Sequence, residues 1–316
     1  MTTLAAIEAA AARMAGHVRR TPILHAPLLD RLAGRRVLVK AECLQVTGSF
    51  KARGGWAAVS VLPPGAGVLA MSSGNHAQGV AWAAAAHGVP AVILMPAEAP
   101  AVKIANTRAY GAEVVLYDRA TEDRDALAAR LSAERGLTLV PPFDHPEVIA
   151  GQGTVGLEIA DEAGVDRADV LVPCGGGGLS TGVAVALAAR APGLRVRTVE
   201  PAGFDDMARS LAAGQPLRNP ATTGSVCDAI LTPEPGKLTL PVLQGLAGPG
   251  LAVTDEQALR AVALAFTHLR VVAEPGGAVA LAAALFAPDL GDTVVCVLSG
   301  GNVDPGLFTE TLARFA

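Results

Sequence analysis

The sequence predicts an α/β fold of the doubly wound kind, with two domains built on mostly parallel sheets. Two observations predict it. Apolar, β-branched runs alternate with alanine-rich helical stretches along the chain. Most of those runs are apolar throughout, as strands buried on both faces of a parallel sheet are.

Strands are expected at Val37–Lys40, Val68–Met71, Ala91–Met95, Glu113–Tyr117, Leu137–Val140, Val170–Val172, Val196–Glu200 and Thr293–Leu298. Helices are expected between them, for example at His76–His87, Thr121–Arg135, Ile149–Ala163, Leu179–Ala191, Asp255–Leu269 and Gly277–Phe286. Gly88, Gly111 and Gly136 follow helical stretches where a left-handed C-cap belongs. Pro63-Pro64-Gly65 and Pro141-Pro142 bracket a βαβαβ-like block. Residues 63–142 are therefore expected as a small substrate-side domain, inserted into a large domain of residues 1–62 and 143–316. The segment Leu217–Pro241 is rich in Pro, Thr and Gly and is suited to covering a site. No internal repeat is visible, and with fourteen residues after Asn302 no regulatory domain is expected there.

Composition narrows the class. The chain has 316 residues, 51% of them hydrophobic but only 3% aromatic, so the core is built from Ala, Val and Leu with close helix–sheet packing. A net charge of -4 without a basic face argues against a nucleic-acid partner. The first fifteen residues carry Glu8 and Arg13 in an amphipathic pattern, unlike a signal peptide. No stretch reaches the ~18 apolar residues of a membrane span, so no membrane partner is expected. Cys43, Cys174, Cys227 and Cys296 are far apart and form no CxxC pair. They read as buried free thiols of a cytoplasmic protein rather than a disulfide or zinc set.

Four motifs carry chemistry. In Gly48-Ser49-Phe50-Lys51-Ala52-Arg53-Gly54-Gly55, a lysine stands between an aromatic ring and a glycine-flanked helix start. A lysine alone is most often a solvated surface group, but one held this way can form a Schiff base with an aldehyde cofactor. Cys174-Gly175-Gly176-Gly177-Gly178-Leu179-Ser180 offers bare backbone N–H groups ahead of an apolar helix, a nest for an anion. The competing reading is a flexible turn or a dinucleotide loop. The spacing is not GxGxxG, and no acidic residue follows about 20 positions on. Ser299-Gly300-Gly301-Asn302 closes the last strand. A lysine, a phosphate cradle and a polar strand end are together what pyridoxal 5'-phosphate (PLP) needs. Ser72-Ser73-Gly74-Asn75-His76-Ala77-Gln78-Gly79 follows a strand and opens a helix. Capping is its plain reading. Hydroxyls and amides at a helix N-terminus also make a carboxylate site from Ser72, Ser73, Asn75 and His76.

Nearly the whole chain resembles fold-type II PLP enzymes, in particular the serine/threonine dehydratase and serine racemase family. The likeness runs through Thr21-Pro22, Val39-Lys40-Ala41-Glu42, Gln45 to Gly54 and Ser72 to Gly79. It continues through Gly151-Gln152-Gly153-Thr154, the tetraglycine, Val199-Glu200-Pro201, Glu274-Pro275-Gly276-Gly277-Ala278 and Leu298 to Asp304. The resemblance implies that Lys51 holds PLP as a Schiff base and Phe50 packs on the ring. By the same likeness Asn75 bonds the ring hydroxyl, Gly175 to Gly178 (Gly175, Gly176, Gly177 and Gly178) bind the phosphate, and Ser299 meets the pyridine nitrogen. A neutral serine there makes the ring a weaker electron sink than an aspartate would, which suits prompt loss of a β-leaving group. A homodimer and a small amino-acid substrate are expected.

The resemblance also bears on the reaction. The expected activity is an ammonia-lyase reaction on L-serine or L-threonine, giving a 2-oxo acid and ammonia. Lys51 would be the base, and the cofactor phosphate the acid for the departing oxygen. Ser73 stands where serine racemases and 3-hydroxyaspartate dehydratases carry serine, and its hydroxyl would reprotonate Cα. Glu200-Pro201-Ala202-Gly203-Phe204-Asp205-Asp206 resembles the racemase cation loop, with Glu200, the Phe204 carbonyl and Asp206 as Mg²⁺ or Ca²⁺ ligands; a solvated acidic loop is the plain alternative. Primarily racemase or 3-hydroxyaspartate dehydratase activity, β-replacement as in cysteine synthases, and a non-catalytic PLP carrier are the competing readings.

Overall fold

The structure is a computed structural model and describes residues 2–99 and 101–316. Its strands are, in chain order, β1 (Ile23–Leu24), β2 (Arg36–Lys40), β3 (Gly67–Met71), β4 (Ala91–Pro96), β5 (Glu113–Tyr117), β6 (Leu137–Leu139), β7 (Ala168–Pro173), β8 (Leu194–Pro201), β9 (Leu251–Val253) and β10 (Thr293–Val297). They form two sheets. One has the order β1-β2-β10-β7-β8-β9 and the other β5-β4-β3-β6. Every pairing is parallel except β1 with β2. Strands such as β4 are buried at every residue, which is why they read as unbroken apolar runs.

The differences from expectation lie at boundaries and in short elements. Strands β1 and β9 are too short to carry a periodicity and fall outside the expected set. One helix begins at Pro146 rather than Ile149, because Pro146 supplies a first helical residue needing no amide partner. Another begins at Arg124 rather than Thr121, after Asp123 caps the amides of Asp125 and Ala126. The stretch expected as one helix over Asp255–Leu269 is α-helical to Leu264 and a π-helix over Ala265–Leu269. The four-stranded sheet lies within residues 63–142, yet its core also takes in Ile7, Met14, Trp56 and Val148 from outside that block. Among the described residues, no helix is long and apolar enough to cross a membrane.

Alanine and glycine let the helices around the sheets approach closely. A Cβ on Gly55 would lie 2.6 Å from the Gly79 carbonyl oxygen, and one on Gly79 would lie 2.6 Å from that of Lys51. Helices Lys51–Val59 and Asn75–His87 therefore cross at backbone contact, which no other residue pair allows.

The helix that starts at Lys51 is also held by buried charge. The Arg53 guanidinium is 1% exposed and forks onto both oxygens of Glu42, at 2.8 Å each, and both of Glu158, at 2.6 and 2.8 Å. Buried Lys40 meets Glu158 at 2.6 Å and Glu162 at 3.2 Å. The cluster ties the segment after β2 and helix Pro146–Glu162 to the second residue beyond Lys51. Arg53→Ala leaves Glu42 unpaired and part of the Glu158 charge uncompensated. It is expected to cost about 3–5 kcal/mol, read as a lower midpoint in chemical denaturation.

Candidate active site

In an open parallel sheet, ligands bind beyond the C-terminal ends of the strands. Here β2, β7 and β10 lie side by side and their outgoing loops meet. The Lys51 loop is fastened to the loop after β10 by main-chain bonds. The Phe50 amide donates to the Ser299 carbonyl at 3.1 Å, the Gly301 amide donates to the Gly48 carbonyl at 2.8 Å, and Ser49 bridges Gly300 in antiparallel fashion. Four segments, the two just named, Ser72–His76 after β3 and Gly175–Leu179 after β7, line one cavity of about 210 Å³.

Lys51 stands in the cavity wall. Its Nζ donates to the Pro142 carbonyl at 2.6 Å and lies 5.0 Å from the Phe50 ring centroid. Burial pushes the amine down to about 7, so near neutrality much of it is an uncharged nucleophile. Gly176, Gly177 and Gly178 are each packed where a Cβ would force a neighbour to move, and Gly175 is tightly packed. A Cβ on Gly176 would sit 2.3 Å from the Phe143 ring, one on Gly177 2.7 Å from Met207 Cε, and one on Gly178 2.8 Å from Gln152 Oε1. Among the described residues, the amides of Gly175, Gly176 and Gly177 donate to no protein acceptor. They and the N-terminus of helix Gly178–Arg190 form an anion cradle on the cavity wall.

Comparison with known proteins agrees with this geometry. Residues 14–300 match the family described as pyridoxal-phosphate dependent enzyme. The chain belongs to that family. It is 39% identical to a serine racemase of Oryza sativa subsp. indica, over 98% of this chain and 93% of the relative. It is 40% identical to an L-threo-3-hydroxyaspartate ammonia-lyase of Pseudomonas sp, over 93% of each. Its fold superposes on a solved threonine deaminase from T.th. with a TM-score of 0.91 and 47% identity, covering 96% of this chain and 99% of that one. The fold is thus that of fold-type II PLP enzymes, and PLP is the cofactor.

The cavity of this PLP enzyme fits that group: a poised amine, an aromatic wall and a cradle of unclaimed amides line it together. Of the residues singled out in the sequence, Phe50, Lys51, Ser72, Ser73, Asn75, His76, the four glycines and Ser299 all line it. The His76 imidazole is engaged with the protein rather than turned to a ligand. Its Nε2 bonds the Val140 carbonyl at 2.8 Å, and burial, with the Lys51 charge, pushes it down to about 3. What His76 offers a carboxylate is its main-chain amide in the first helical turn. Asn75 is tied on both sides, donating to Glu274 Oε1 at 2.6 Å and accepting from Asn302 Nδ2 at 2.7 Å.

Sequence reasoning did not single out Glu274, Asn302, Phe143 or Gln152 as site residues, and all four line the cavity. Glu274, Gln152 and Asn302 lie inside motifs quoted for the resemblance, so a signal was present. Both polar side-chain atoms of Gln152 are buried without a partner among the described residues. Phe143 carried no motif, and only its packing on Gly176 reveals it.

Glu200, Phe204 and Asp206 do not line the cavity: Glu200 is near the end of β8, Phe204 on the turn that leaves it, and Asp206 opens the next helix. Both Glu200 oxygens already accept main-chain bonds, from Met207 at 2.9 Å and Ala208 at 2.8 Å. Burial and the neighbouring Asp206 push the Glu200 carboxyl well up. Asp206 Oδ1 accepts from Asn219 at 2.6 Å, while its Oδ2 is buried without a partner. Among the described residues, no three His, Cys, Asp or Glu side chains gather as a metal cluster. The unclaimed Asp206 Oδ2, beside the Glu200 carboxyl, is the hard oxygen a cation there would take.

Gly176→Ala drives a methyl group into the Phe143 ring and deforms the cradle. The purified variant is expected to retain at least about tenfold less PLP than the wild type, equivalent to about 1.4 kcal/mol, in a cofactor-release assay.

Proposed function

We propose that this protein is a PLP-dependent ammonia-lyase acting on a small hydroxy amino acid, L-serine or L-threonine, to give a 2-oxo acid and ammonia, with serine racemisation alongside. The observation that carries the reading is one cavity lined at once by Lys51, Ser73, the tetraglycine and Ser299. Bound PLP supplies an electron sink that makes the α-proton of an attached amino acid removable. Lys51 holds the cofactor, and once released takes the Cα proton. Its amine, pushed down to about 7, is matched to that task near neutral pH. Ser72, Ser73 and the amides opening helix Asn75–His87 hold the substrate carboxylate, favoured by the positive end of the helix dipole. Phe50 would pack on the ring, the amides of Gly175–Gly178 would hold the phosphate, and Ser299 would offer the ring nitrogen an uncharged partner.

Ser73 favours the racemase component, because its half-exposed hydroxyl lines the same cavity and can return a proton to Cα. The reading of 3-hydroxyaspartate as substrate draws support from Lys103, a cation on the cavity wall, and from the 40% identical Pseudomonas relative. Intact Lys51 and Ser73 speak against a non-catalytic carrier. The four buried free thiols suit a cytoplasmic protein, and the expected assembly is a homodimer.

Glu200, the Phe204 carbonyl and Asp206 are proposed to hold Mg²⁺ or Ca²⁺. Asp206 holds Asn219, whose side-chain amide reaches the Thr232 carbonyl at 2.9 Å, and Thr232 lines the cavity. Next in sequence, Met207 packs on Gly177. An ion there would steady both the covering segment and the phosphate cradle.

Borohydride should fix the cofactor to Lys51 and to no other lysine. Lys51→Ala should abolish formation of keto acid and ammonia from serine, threonine and 3-hydroxyaspartate. A label elsewhere, or a thiol product from a sulfide acceptor with no keto acid, overturns the lyase reading. Ser73→Ala should lower serine racemisation by about 10²-fold or more, the usual size of a general-acid contribution, while elimination of the L-substrate survives. Chelation should lower the thermal midpoint of the wild type by several degrees and leave Asp206→Asn unmoved; equal sensitivity of both would exclude this turn as the cation site.

A further inference from the structure

Glu274 takes the N-cap position of helix Pro275–Phe286 but does not cap it. Its carboxyl turns into the cavity instead and is 6% exposed. There Oε1 accepts the Asn75 side-chain amide at 2.6 Å. The same oxygen lies against the main chain just after Ser299, where a Cβ on Gly300 would sit 2.0 Å from it. Glycine at 300 is what admits the carboxyl.

The hydrogen-bond chain running to Glu274 has one polarity. Asn302 Nδ2 donates to the Thr47 carbonyl at 2.9 Å and to Asn75 Oδ1 at 2.7 Å. A main-chain carbonyl only accepts, so Asn302 presents its NH₂ there, Asn75 presents its oxygen to Asn302, and the Asn75 NH₂ is left for Glu274. One hydrogen of that NH₂ goes to Glu274, and the other remains for a ligand. A glutamate accepts this bond either as the ion or through the carbonyl oxygen of the neutral acid.

We propose that Glu274 is a positioning residue for the cofactor: it fixes the Asn75 amide in one orientation and sets, by its own protonation, the charge that faces the ring. The proposal rests on the reading that Asn75 meets the ring hydroxyl of PLP. Burial pushes the Glu274 carboxyl up to about 7, against the opposing bond from Asn75. Asp228 adds to the rise and Lys103 works against it, and these two pair with each other at 2.9 Å. Lys51 and His76 face the same cavity, and the thiols of Cys43 and Cys227 sense the Glu274 charge from behind. Below that value Glu274 is neutral, and above it an anion stands beside the ring oxygen. Titration of Glu274 should therefore move the absorbance of lysine-bound PLP near neutral pH.

The test is a spectrophotometric titration of the holoenzyme from pH about 5.5 to about 9, beside the pH profile of kcat. Glu274→Gln keeps the volume and the acceptor oxygen and removes the proton. The wild type is expected to show a spectral transition near pH 7, and Glu274→Gln to lose it from the spectrum while keeping its cofactor and the kcat limb that Lys51 sets. Glu274→Ala, which frees the Asn75 amide, should release PLP about tenfold more readily, the worth of one buried hydrogen bond. Asp228→Asn changes an exposed carboxylate and leaves Glu274 in place, so it serves even if the Gln variant folds badly; it should move the transition to lower pH. A Glu274→Gln spectrum that titrates like the wild type, or an unmoved transition in Asp228→Asn, overturns the proposal. A wild type whose PLP is not on Lys51 defeats the cofactor assignment instead, which is a separate failure.

Discussion

The site depends on a short main-chain splice between two loops more than two hundred positions apart in sequence. Gly48 to Phe50 run beside Ser299 to Gly301, joined by the Phe50 and Gly301 amides. This splice sets Lys51 near Ser299, so the two residues are spaced by backbone rather than by flexible side chains. Gly48, at φ 75°, makes the splice possible, since a Cβ there would meet Asn302 Oδ1 at 2.5 Å.

Around the splice, charge is sorted by burial. Arg53 stays ionised in the core because carboxylates meet it at hydrogen-bond distance, and Lys40 is paired with Glu158 beside it. A few ångströms of helix away, Lys51 has only a carbonyl partner and His76 likewise, so burial favours their neutral forms. The same helix thus carries a nucleophile at its start and a structural cation two residues on. The low aromatic content serves this arrangement, because glycine and alanine surfaces bring helices Lys51–Val59 and Asn75–His87 close enough to share one cavity.

Much of the fold was legible because parallel strands buried on both faces are unbroken apolar runs, as β4 and β10 are. β1 and β9 were not, since pairs and triplets of residues carry no period, and the π-helix at Ala265–Leu269 continues the apolar pattern of the helix before it. In the site, lysine, tetraglycine and Ser299 were legible as residue types whose chemistry is specific. The partner of the His76 ring was not legible, because a histidine at a helix start looks alike whether its ring faces a ligand or a carbonyl such as that of Val140.

Sequence alone determined the alternation of elements, the bare amides of Gly175–Gly178 and the lysine that can carry an aldehyde. These are local properties of residue type and spacing, and they survive without knowledge of neighbours. Only the tertiary structure decided that Phe143 closes on Gly176, that Glu274 turns away from its own helix to hold Asn75, and that Gly300 makes room for it. Each of those contacts joins segments distant in the chain, and a pKa or a hydrogen-bond polarity exists only once the surrounding groups are in place.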